Sequence, residues 1–116
     1  MAKRIDRSML LYLTDPPDLP GNYHRQAYVE HGWDCLQGGD YGQAIQATTS
    51  VFTKDGVATD VAELFGRALS LLERDWGQKG AQKVYQYIDK RLLRPDPRDP
   101  DGLHLLRSAA RERGWT

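Results

Sequence analysis

Cysteine is nearly missing from this chain: Cys35 is the only one among 116 residues, which excludes an internal disulfide and points to a reducing, cytoplasmic setting. Long apolar runs are missing too. The run from Met9 to Leu13 stops at Thr14 and Asp15, too short for a signal-peptide core and far short of the ~20 residues that span a bilayer. Charge of one sign is also lacking, because 16 basic residues balance 16 acidic ones. No overall field draws the molecule to nucleic acid or to a membrane, so any such binding has to be local. Phosphate-cradling loops are absent as well, since no Lys-Ser or Lys-Thr pair follows Gly38-Gly39 or Gly77 and Gly80.

What is present is ordinary globular material, 40% apolar and 28% charged, in a length that suits one domain with one core. Residues 1–22 read as an extended arm and Pro-rich loop, because the apolar run Met9 to Leu13 is short and is followed by Pro16, Pro17 and Pro20. Residues 23–94 read as a helical domain. His24, Tyr28, His31 and Cys35 define the stripe of a first helix stopped by Gly38-Gly39, and Asp40 caps a second whose face carries Tyr41, Ala44, Ile45, Thr48 and Phe52. The stretch 46–60 is β-rich in composition, and a hairpin turning at Lys54-Asp55-Gly56 is the alternative there; the 3.6-residue spacing favours the helix. Asp60 and Glu63 look like a capping pair opening a third helix with Val61, Leu64, Phe65, Ala68, Leu69, Leu72 and Trp76 on one side. After Gly77 and Gly80, a fourth helix carries Ala81, Val84, Tyr85, Ile88 and Leu92. Residues 95–116 read as a solvated Pro/Asp linker, with Asp101 suited to cap a short last helix from Leu103 to about Arg113 that packs on the same domain.

An offset of 35 residues aligns Asp40-Tyr41-Gly42-Gln43 with Asp75-Trp76-Gly77-Gln78, Ala27 with Ala62, Leu36 with Leu71 and Phe52 with Tyr87. Such a period marks helix-pair repeats. The segment Gly39-Asp40-Tyr41-Gly42-Gln43-Ala44-Ile45 resembles the turn and second-helix opening of the tetratricopeptide family, with Gly32 where that family's first helix carries a small residue. The resemblance covers about residues 24 to 90. It implies an adaptor that holds a peptide or a partner protein.

Candidate chemistry is sparse. His31 and Cys35, one turn apart, can reach one metal ion or act as a base and thiol pair, although packing against the core is the simpler use of both. Asp96, Asp99 and Asp101 lack the spacing and the distal glutamate of a calcium loop. Arg107, Arg111 and Arg113 form a basic group able to meet phosphates. Trp33, off the apolar stripe of its helix, and Trp115, following a glycine, are candidate anchors for a partner, together with Leu11 and Tyr12 on the arm.

The residues therefore predict an all-α fold of two antiparallel helix hairpins, with an extended N-terminal arm and a short C-terminal helix. They predict a non-enzymatic protein-binding or assembly module without a cofactor, whose partner is another protein or a second copy, with contact in the groove between the first and third helices or along the arm. A small nucleic-acid-associated regulator using Arg107, Arg111 and Arg113 is the second expectation, and a metal or thiol enzyme on His31 and Cys35 the third.

Overall fold

The computed structural model describes residues 5–14 and 23–116, and within these the chain forms five helices and no strand. They are α1 (Arg7–Thr14), α2 (Arg25–Gln37), α3 (Tyr41–Asp55), α4 (Thr59–Leu92) and α5 (Asp101–Arg113). The all-α expectation holds, and residues 46–55 are helix rather than hairpin.

The reason lies in how α3 is surrounded. It packs against α1, α2 and α4, and its buried residues, from Gly42 through Phe52, cover almost its whole circumference. The β-branched and hydroxyl residues that weaken an isolated helix are satisfied within it. Thr48 Oγ1 donates to the Ile45 carbonyl at 2.7 Å, Ser50 Oγ to Gln46 at 3.0 Å and Thr53 Oγ1 to Thr49 at 2.8 Å. Helix propensity is a weak preference, and burial on every side overrides it. As expected, Asp40 caps the helix, accepting from the Gln43 backbone N–H at 3.1 Å and from the Gln43 side chain at 2.8 Å.

The N-terminal arm is not extended over its described part. Residues Arg7–Thr14 are helical, with Leu10 and Leu13 buried one turn apart. Asp6 supplies the start, accepting from the Met9 backbone N–H at 2.9 Å. The end is held by α3: Gln46 Nε2 donates to the Tyr12 carbonyl, and Thr49 Oγ1 to the Leu13 carbonyl at 3.1 Å. Eight residues are too few to hold a helix alone, so this one exists through its contacts. The Pro-rich loop expected over 15–22 lies outside the described residues.

Two further expectations need correction. The buried face of α2 is centred on Val29 and Gly32; of the expected stripe, Tyr28 and Cys35 are half-buried against the core, whereas His24 and His31 face solvent. The 95–100 segment is not a solvated linker either. Val57 N–H donates to the Arg94 carbonyl at 2.9 Å, Val57 bridges Pro95, and Asp96 is 2% exposed.

The third and fourth expected helices run together as α4, interrupted at Gly77, whose φ of 79° and ψ of 170° are non-helical. That region of backbone space is essentially open to glycine alone. A straight helix of 34 residues would measure about 51 Å, whereas the longest dimension of the chain is 42 Å. The element is thus two arms, 59–76 and 78–92, set at an angle. Trp115 spans them. Its indole Nε1 donates to Glu73 Oε2 on the first arm at 2.8 Å, its ring lies 6.4 Å from that of Tyr85 on the second, and it has no exposed surface. Around it, Gln78 Nε2 donates to the Arg113 carbonyl at 3.1 Å, tying the second arm to the end of α5.

Trp115→Ala should therefore cost about 3–5 kcal/mol, the range for emptying a buried aromatic site. Urea unfolding measures it, and a loss below about 1 kcal/mol would show that the tryptophan does not hold the two arms.

Candidate functional site

Where α5 crosses the first arm of α4, the helices leave an open groove of about 590 Å³. Ala62 and Gly66 from α4, Leu106 and Ala109 from α5, and the inward-turned Trp115 line its floor. At Gly66 an added Cβ would meet no atom within 4 Å, so the absence of a side chain there is what opens the groove. Leu105 stands at its edge, half exposed. The rim is polarised. Asp60 and Glu63 lie towards the start of α4, and Arg67 and Arg113 flank the floor further along. Glu63 and Arg67 pair at 3.2 Å one turn apart, and the Arg67 guanidinium sits 5.7 Å from the centre of the Trp33 ring.

The residues singled out from the sequence are scattered by the fold. Trp33 is half-buried behind the Arg67 rim instead of standing free. Trp115 is not an exposed anchor; it reaches the groove only as floor, because Gly114 turns the chain back and the indole finds Glu73. Leu11 and Tyr12 are indeed exposed, at 46% and 48%, but on α1 and outside the groove. The space expected between the first and third helices is closed, since Leu64 Cδ2 lies 2.6 Å from where a Cβ on Gly32 would stand. The arginines of α5 have different surroundings: Arg107 pairs with Asp89 at 3.3 Å, Arg107 and Arg111 both lie near the Tyr85 hydroxyl, and Arg113 lies against the Trp115 ring in the groove.

His31 Nε2 and Cys35 Sγ do meet, at 3.5 Å. Among the described residues no group of three or more histidine, cysteine or carboxylate side chains is gathered to hold a metal ion. Burial pushes the Cys35 thiol above its ordinary pKa, and Asp40 and Asp34 push it further. This is opposite in sign to the shift that makes a reactive thiolate.

A second polar region joins the ends of three elements and was invisible in the sequence. Ala58, at the N-cap of α4, has no side-chain oxygen, and the cap comes instead from Asp99, which accepts from the Thr59 backbone N–H at 2.9 Å and from the Thr59 hydroxyl. The anticipated pairing of Asp60 with Glu63 does not form. Asp60 takes a bidentate contact from Arg25, with Nη1 to Oδ2 at 2.9 Å. Buried Asp96 accepts from the Arg98 backbone at 2.9 Å and from its guanidinium at 3.2 Å, and Arg98 also meets Asp55 at 3.0 Å. Gly102 lets α5 begin directly against the backbone of Ala58, where a Cβ would collide. Asp101 starts that helix without capping it. Three of the carboxylates are held below their ordinary pKa, Asp60 by Arg25, Asp96 by Arg98 and Asp99 by Thr59. Arg25, Thr59 and Arg98 all bind carboxylates of the chain itself, so the cluster reads as a clasp.

No helix among the described residues is long and apolar enough to cross a membrane. Comparison with protein-family models, with curated proteins and with solved structures finds no match for the chain.

Two measurements follow from these shifts. Native carboxylates with lowered pKa values bind fewer protons than the unfolded chain, so their stabilisation is complete above about pH 5 and is lost as pH falls through and below about 4. The urea midpoint should fall in that window, and less steeply in Asp96→Asn; equal slopes would remove Asp96 from the clasp. Iodoacetamide at pH 7.5 should alkylate Cys35 more slowly in the folded chain than in urea, and a faster reaction when folded would overturn the assignment of a raised thiol pKa.

Proposed function

We propose that this chain is a non-enzymatic binding module whose groove between α5 and the first arm of α4 receives an amphipathic helix of another protein. The observation that carries this is the open floor over Gly66, apolar within and polarised at the rim. A groove between two packed helices accepts a third helix more readily than a small polar substrate, because ridges of side chains seat between ridges. The walls offer two to three turns of contact, judged from the ~12 Å rise between Leu105 and Arg113. The partner then carries apolar residues at i, i+3 or i+4, and i+7, with basic groups facing Asp60 and Glu63 and acidic groups facing Arg67 and Arg113.

The likeness to tetratricopeptide hairpins supports the same reading. Gly32 admits Leu64 and Ala47 side chains against α2, and Asp40 caps the helix that follows the tight turn. The two echoing aspartate–aromatic pairs also touch: Tyr41 Oη donates to Asp75 at 2.7 Å and accepts from Trp76 Nε1 at 2.9 Å. On this reading α2 with α3, and the two arms of α4, are the hairpins, and α5 is the added helix that builds the groove.

Gly66→Leu tests it. Leucine is the better helix former by roughly 0.5–0.8 kcal/mol, and its Cβ meets no atom within 4 Å, so the variant should be at least as stable as the parent while filling the groove. A photoreactive side chain at Leu105, in the cell that makes the protein, should yield one discrete adduct to an amphipathic segment, and that adduct should vanish with Gly66→Leu. Adducts to this chain's own peptides would reassign the surface to self-assembly, and adducts indifferent to Gly66→Leu would end the proposal.

A further inference from the structure

The balanced charge of the chain conceals a strong separation at Gly77. Residues 23–76 carry eight carboxylates against four basic side chains, whereas residues 78–94 carry Lys79, Lys83, Lys90, Arg91 and Arg94 against Asp89 alone. Two segments of one protein therefore carry net charges of opposite sign, and residues 95–116 are balanced.

The basic side chains on the second arm of α4 are arranged, not merely numerous. Lys79, Lys83, Gln86 and Lys90 recur at i, i+4, i+7 and i+11, one stripe about 16 Å long. The three lysines and Arg91 line a shallow groove of about 280 Å³, and Gln82 and Gln86 add neutral hydrogen-bonding groups. Two of the cations are held in place. Lys83 Nζ donates to the Ile5 carbonyl at 2.6 Å, and the Arg91 guanidinium lies 3.8 Å from the centre of the Tyr87 ring. The one carboxylate of this arm is engaged elsewhere, Asp89 with Arg107 at 3.3 Å. Among the described residues no ion pair involves Lys79, Lys83, Lys90 or Arg91.

We infer that the second arm of α4 is a docking site for the phosphate backbone of duplex nucleic acid, bound without regard to base sequence. Each strand of a duplex is a continuous line of closely spaced negative charges, so the lysine stripe can lie along one stretch of backbone. Four cations around a groove whose only apolar lining residues are Leu10 and Tyr87 are too polar for the core of a protein interface. The glutamines suit phosphate and sugar oxygens. This surface replaces the α5 arginines as the nucleic-acid candidate and shares no lining residue with the groove proposed for a protein partner.

Fluorescence anisotropy of a labelled duplex of about 20 base pairs, titrated with the full chain in 25 to 200 mM NaCl, tests it. Three or four phosphate contacts should give a log–log salt slope of about −3 to −4, equal for two unrelated duplex sequences. K79Q/K90Q, which leaves Lys83 and the Arg91–Tyr87 contact intact, should weaken binding at least about tenfold in 25 mM NaCl and shrink the slope by about 2. R111Q, which leaves the Arg107–Asp89 pair intact, should leave both unchanged. Circular dichroism and melting confirm that the exposed substitutions leave the fold whole. No saturable binding in 25 mM NaCl overturns the inference, as do a K79Q/K90Q protein that binds like the parent, loss in R111Q, or tighter binding to polyglutamate or to vesicles containing phosphatidylserine than to the duplex.

Discussion

The placement of Trp115 between the two arms of α4 is the contact on which the remaining geometry depends. A fully buried indole removes one of the largest apolar surfaces in the chain from water, and its N–H is satisfied by Glu73. Gly77 permits the change of direction, but permission is not preference. The angle is defined because the tryptophan fills it, and because α5 must lie against the first arm for the tryptophan to arrive. The same insertion puts Trp115 at the floor of the groove, so the element that fastens the fold also shapes the surface proposed for a partner.

A second constraint operates at the far end of the molecule. There three chain segments meet by backbone and carboxylate contacts, and Asp99 completes a helix whose own N-cap residue is alanine. Asp96, hidden from solvent, is tolerable as a charge because Arg98 surrounds it with backbone and guanidinium donors. The clasp anchors the start of α5 as Trp115 anchors the turn beyond its end. Between these two fixings, α5 is held across α4 without covering Gly66, which is why an open groove persists in a protein of this size.

Helical periodicity was legible wherever one face alone is buried. The stripe from Val61 to Leu72, the Asp40 cap and the apolar side of α5 all emerge as read, because local pattern and tertiary burial ask for the same thing there. The stripe of α2 was misread at its histidines, which face solvent while Tyr28 and Cys35 pack at the edge of the core; Val29 and Gly32 are the centre of the buried face, and a small residue facing Leu64 carries no hydrophobic signal. α1 was misread as extended because its short apolar run cannot reveal that Gln46 and Thr49 hold its end. The candidate groove was the least legible feature, being defined by an absent side chain at Gly66 and by the crossing of two distant helices.

By itself, the order of residues determined that the chain is helical, that it has one cysteine and no bilayer-spanning run, and that its charges balance. These follow from composition and from spacing within one turn or two. Only the tertiary structure decided that Trp115 faces inward onto Glu73 and that Asp99 caps α4 through Thr59. The reason is physical: each of those outcomes depends on groups brought together from up to 42 positions away in the chain, and no local preference encodes a contact whose partner is absent from the window.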